Sequence, residues 1–111
     1  MTHRLRVAIL GAGMIGGVHR RAAILAGAEV VGVMASSPAR SEQVATDWDL
    51  PHGYPDVDAV AAADVDLVHV CTPNASHVPY AISLMRAGKH VICEKPLGLS
   101  LTEAQQAASV A

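Results

Sequence analysis

Apolar positions along the chain follow two alternating rhythms. Leu5-Arg6-Val7-Ala8-Ile9-Leu10 and Val30-Val31-Gly32-Val33-Met34 are short apolar runs of strand character. The runs that end at Cys71 and Cys93 have the same character. Between them the apolar residues recur at helical spacing, as at Ile15, Val18, Ala22 and Leu25, which predicts one apolar helix face. The pattern predicts strands over 5–10, 29–35, 52–54, 66–72 and 89–93. It predicts helices over 14–27, 38–48, 56–62 and 76–88, and a last one from about 101. Strands alternating with helices imply a parallel sheet with right-handed crossovers, an α/β doubly wound architecture.

Local signals punctuate these elements. Ser36 or Ser37 can cap the second helix, Ser76 the fourth, and Gly88 suits the residue after the fourth helix. Ser100 and Glu103 have capping-box spacing before the last helix. Asp64 and Asp66 are expected in a solvated turn before the fourth strand.

Between the first predicted strand and helix stands Gly11-Ala12-Gly13-Met14-Ile15-Gly16. Strand, glycine turn, helix and strand in succession are the setting of a Rossmann dinucleotide-binding fingerprint. Gly11 allows the tight turn, Gly13 lets a pyrophosphate approach the backbone, and Gly16 lets helix and sheet pack closely. Met14 and Ile15 open the helix whose free N–H groups and dipole end favour phosphate.

Hydrophobic residues make up 51% of the 111, with no Phe and one Trp, so the core must be aliphatic. A net charge of −2, with acids and bases interspersed, offers no surface for nucleic acid or an anionic membrane. No apolar run approaches the ~20 residues of a membrane span, and the glycine turn interrupts the one stretch resembling a signal peptide. The cytosol is the expected compartment. Cys71 and Cys93 are expected as reduced, buried thiols, and no His, Cys or acidic grouping has metal-ligand spacing. The chain reaches Ala111 inside a helical pattern with five strands. Residues 1–111 are therefore expected to be a truncated dinucleotide-binding domain that lacks a sixth strand and a second, substrate-binding domain, its last helix short of cover.

Ligands of open parallel sheets bind beyond the carboxyl ends of the strands. The glycine turn, Cys71-Thr72-Pro73-Asn74 and Glu94-Lys95-Pro96 should meet there. Ala35 stands at the end of the second strand, where an acid would bond the adenosine ribose of NAD. Ser36, Ser37 and Arg40 follow instead, which favours NADP over NAD, although a plain helix start would suit NAD as well.

The segment Thr72-Pro73-Asn74-Ala75-Ser76-His77, with Ala87-Gly88-Lys89-His90 leading to Glu94-Lys95-Pro96, resembles the glucose–fructose oxidoreductase / inositol dehydrogenase / rhizopine-catabolism family of NAD(P)-dependent oxidoreductases. The resemblance covers that family's N-terminal domain. It implies that Thr72, Pro73 and Asn74 line the cofactor cleft, that Glu94 contacts the nicotinamide ribose region, and that Lys95 is the catalytic contribution of this domain. His77 matches the family's histidine at the fourth helix and would face either the cleft or the packing. The family implies hydride transfer to or from a sugar- or polyol-like small molecule, with a further acid–base group in the second domain, and a homo-oligomer as the intact protein. A non-catalytic NAD(P)-sensing domain is the main alternative, and an amino-acid- or imine-reducing enzyme on the same fold comes after it.

Overall fold

The computed structural model describes residues 4–95 and 101–111. Each expected element forms, in the expected order. The strands are β1 (Arg6–Leu10), β2 (Glu29–Met34), β3 (His52–Gly53), β4 (Leu67–Val70) and β5 (His90–Cys93). The helices are α1 (Met14–Leu25), α2 (Pro38–Asp47), α3 (Val57–Ala62), α4 (His77–Arg86) and α5 (Leu101–Val110). A 3₁₀ turn over Asn74–Ser76 precedes α4. The sheet is parallel, with strand order β3-β2-β1-β4-β5. The reversal of strand order therefore falls between β1 and β4.

Side-chain alternation along β1 builds two cores. Val7 and Ile9 pack with Ala23 of α1 and with Val44 and Ala45 of α2. Ala8 and Leu10 pack on the other face with Val60 of α3 and Leu84 of α4. Each fully buried Val, Ile or Leu contributes about 1.5–3 kcal/mol, so this central strand anchors both layers. The core is aliphatic apart from Tyr54, which is buried just after β3. On the α1 side of the sheet, that helix also reaches β4, where His19 meets His69. There Leu5, Ala22, Ala26, Leu67, His69 and Ile92 line an apolar trough of about 490 Å³. No helix among the described residues is long and apolar enough to cross a membrane.

Three local expectations need correction. The predicted apolar face of α1 is not its buried face: Ile15 is 44%, Val18 56% and Leu25 81% exposed, whereas Gly16 and Ala23 are buried. The helix sits so close to the sheet that only small residues fit between. Ser76 does not cap α4; its hydroxyl donates to the Pro73 carbonyl at 2.6 Å. Asp66 is not simply solvated, because its carboxylate accepts the Arg6 backbone N–H at 2.9 Å and ties the start of β1 to the turn before β4. Asp64 is exposed as expected.

Other signals act as read. Ser37 caps α2, accepting the Arg40 N–H at 3.1 Å. Gly88, at φ +83°, follows α4 with paired bonds from Gly88 N–H to Met85 O and Lys89 N–H to Leu84 O. The capping box at Ser100 lies outside the described residues, as does Pro96.

Candidate functional site: a cleft at the carboxyl ends of the strands

Hydrogen bonds bring the three loop starts into register. Gly11 N–H donates to Met34 O at 2.8 Å, Cys71 N–H to Leu10 O at 2.7 Å, and Glu94 N–H to Val70 O at 2.9 Å. The ends of β2, β1, β4 and β5 thus stand side by side. Gly11 turns off β1 at φ +98°, and a Cβ there would lie 2.5 Å from the Cys71 carbonyl oxygen. Gly16 is equally constrained, since its Cβ would sit 1.8 Å from Gly11 O. Gly13 differs. Nothing lies within 4 Å of where its Cβ would be, and it borders open space. It is the N-cap of α1 without a side-chain cap, and no acid stands in the first turn. The first N–H groups of a 12-residue helix therefore face this space with their dipole uncompensated.

The space is a cleft of about 850 Å³. Of the residues singled out from sequence, Gly11, Gly13, Met14, Ile15, Ser36, Arg40, Cys71, Thr72 and Pro73 line it. Ala12, Met34, Ala35, Ala75, Ser76 and Tyr80 complete the lining. No carboxylate is among them. Bare helix-start amides, an arginine, hydroxyls and apolar walls fit a dinucleotide with its two phosphates. At the end of β2 the buried Ser41 fixes the corner: its hydroxyl donates to Ser37 O at 3.0 Å and accepts the Ala35 N–H at 2.8 Å. That anchors the segment carrying Ser36 and Arg40.

Among the described residues, the other predicted ones stand outside the lining. Gly16 lies buried beneath the turn and Ser37 is taken up by its capping bond. Asn74 is exposed at the start of the 3₁₀ turn. His77 is 1% exposed and so faces the packing, not the cleft. Its Nε2–H donates to Thr72 O at 2.8 Å and props the cleft loop from inside. Ser76 adds to that support through a short hydroxyl–hydroxyl bond with Thr72. Glu94, near Cys71, and the exposed Lys95 follow β5 directly but are not in the cleft wall.

Two histidines that the sequence left without a role form a chain that ends on Glu94. His19 Nε2 bonds the Glu94 carboxylate at 2.7 Å, and its Nδ1 lies 2.9 Å from His69 Nδ1. The rings meet edge to face at 86°. These nitrogen and oxygen atoms point at one another, not at a common centre, and among the described residues no grouping suits a metal ion. The hydrogen bond from His19 holds the Glu94 carboxyl below the usual carboxylate range, and the Lys95 backbone N–H adds to this. Burial, then the neighbouring His19, pushes the His69 imidazole down. Burial, with Glu94 and Cys93 nearby, pushes the Cys71 thiol up to about 12. Both cysteines are free and half-buried, more open than the sequence implied.

The family model described as "Oxidoreductase family, NAD-binding Rossmann fold" matches residues 5–111. An inositol 2-dehydrogenase from Rhizobium meliloti is 40% identical over 97 residues, spanning 86% of this chain and 29% of that protein. A 4-carboxy-2-hydroxymuconate-6-semialdehyde dehydrogenase from Sphingobium is 36% identical over 103 residues, spanning 91% of this chain and 33% of its own length. The crystal structure of an oxidoreductase from Sinorhizobium meliloti superimposes with a TM-score of 0.90 at 31% identity, covering 99% of this chain and 34% of that one. The chain thus spans about a third of the length of the relatives it matches. With the glycine turn, the strand order and the match over residues 5–111 in agreement, the chain belongs to the glucose–fructose oxidoreductase / inositol dehydrogenase / rhizopine-catabolism oxidoreductases, as their NAD-binding Rossmann domain.

Proposed function

We propose that residues 1–111 form the dinucleotide-binding domain of a longer, cytosolic NAD(P)-dependent oxidoreductase acting on a sugar- or polyol-like substrate. The single observation that carries this reading is the cleft itself. It joins uncapped α1 amides at Gly13 to a cation and hydroxyl at the end of β2, with no carboxylate in its wall. The helix-start amides would hold the two phosphates, and Thr72 and Pro73 would border the nicotinamide half. Ser36 and Arg40 would face the adenosine ribose, where a 2′-phosphate gains a charge-assisted bond and meets no acid. NADP is accordingly the favoured cofactor. The nicotinamide, when bound, supplies or accepts the hydride. Lys95, at the carboxyl end of β5, would orient the reacting hydroxyl and hold or release its proton.

Two measurements on the full-length enzyme test this. Lys95→Ala should lower kcat at least a hundredfold while NADPH affinity changes less than about threefold. Titration should give tighter binding of NADPH than NADH, with Arg40→Ala erasing the difference. Turnover that survives Lys95→Ala removes the lysine from catalysis. Tighter NADH binding reverses the cofactor preference.

A further inference from the structure

His19 and His69 tie α1, β4 and the segment after β5 together, and the direction of each bond follows from elementary chemistry. A carboxylate only accepts, so the bond to Glu94 requires a hydrogen on His19 Nε2. In neutral His19 the Nδ1 is then bare, and the 2.9 Å contact requires His69 Nδ1 to donate. His69 is 7% exposed on the sheet face beneath α1. Both nitrogens of His19 are thereby engaged, and its ring has one orientation. Glu94 immediately precedes Lys95, so the bond to its carboxylate anchors the chain directly before the lysine. The connection runs from β4 through α1 to the peptide that carries the Lys95 side chain. The same helix presents Met14 and Ile15 to the cleft.

We infer that His19, oriented by His69, is a positioning residue that clamps the Glu94-Lys95 segment against α1 and so fixes where the lysine ammonium stands relative to the cleft. Its bearing on turnover rests on the cleft function proposed above; the clamp itself does not. Without the clamp, the segment after β5 loses its one side-chain anchor to α1 among the described contacts. Misplacement of a reacting group by about 1 Å costs on the order of a hundredfold in rate.

The test compares His19→Leu, which leaves Glu94 no donor, with His19→Gln, whose amide nitrogen stands near the place of Nε2. Both are made in the full-length protein. The first readout is hydrogen exchange of the peptide holding Glu94 and Lys95, without cofactor or substrate. His19→Leu should speed its exchange about tenfold or more, and His19→Gln should restore most of the protection. The second readout is steady-state kinetics. His19→Leu should lower kcat about 10- to 100-fold with little change in cofactor affinity, and His19→Gln should recover most of it. If His19→Leu does not fold, Glu94→Ala replaces it as the variant lacking the clamp. Unchanged exchange in the variant lacking the clamp overturns the inference, as does a His19→Gln protein no better than His19→Leu. Altered exchange with unaltered kcat keeps the clamp and refutes the role of Lys95, so the two failures are distinguishable.

Discussion

Helix α1 docks on the sheet through Gly16, and adding one methyl group there tests the whole arrangement. The Cβ of an alanine would lie 1.8 Å from Gly11 O and 2.8 Å from Gly11 C, where side-chain carbons essentially never approach within 3.0 Å. Both atoms are backbone, so no rotamer change relieves the clash. Helix and turn must part by more than an ångström. That separation would loosen the contact between Ala23 and the Val7–Ile9 face and shift the helix-start amides that face the cleft. Overpacking of this kind costs about 1–3 kcal/mol, and a backbone clash belongs at the upper end. Gly17 is the internal control. It is the next residue in the helix, nothing lies within 4 Å of its absent Cβ, and alanine there should add about 1 kcal/mol through helix propensity. Each kcal/mol corresponds to about 4–8 °C in Tm for a domain near this size. Thermal unfolding of the two variants should therefore move in opposite directions from the parent, with Gly16→Ala also losing cofactor affinity. Equal Tm values for Gly16→Ala and the parent would show that α1 does not sit this close to the turn.

Two further outcomes follow from groups near the cleft. With its thiol pushed up to about 12, Cys71 carries roughly a thousandfold less thiolate at pH 8 than an ordinary cysteine, partly offset by greater intrinsic nucleophilicity. Modification of the Cys71 peptide by a small aromatic disulfide, followed by mass spectrometry, should run about 10- to 100-fold slower than for free cysteine; an equal rate contradicts the buried, anionic surroundings. His69 titrates below its ordinary 6.5 in the folded state, so the unfolded chain binds its proton first. Stability from this group is present above about pH 6.5 and declines as pH falls through the lower, folded value. The depressed Glu94 acts in a separate window, below its ordinary 4.5. Urea midpoints at pH 7.5 and pH 5.5 should differ less in His69→Gln than in the parent; an unchanged difference assigns the pH dependence elsewhere.

Order and type of the elements were legible because burial and periodicity agree. A strand buried on both faces, such as β1, needs an unbroken apolar run, and Val7 through Leu10 supply one. The buried face of α1 differs from its apolar stripe for a reason that the fingerprint itself contains. A glycine that brings helix and sheet within contact leaves room only for small side chains on the inner face. Gly16 and Ala23 occupy it, and the large apolar residues Ile15, Val18 and Leu25 are turned outward. Ser76 carries a cap signal, but the 3₁₀ turn before α4 directs its hydroxyl back to Pro73. No local pattern could reveal the bond from His19 to Glu94, whose partners stand 75 positions apart. Yet the glycine points to it indirectly. Once Gly16 is fixed as the point of contact, helical spacing places His19, three residues on, along the same inner edge. An imidazole there cannot reach solvent freely and must find a partner from the sheet. The candidates are side chains on the α1 face of β4 and just beyond β5, and His69 and Glu94 stand at those positions. The third glycine, through the close contact it enforces, thus marks both the inner face of α1 and the histidine that faces Glu94.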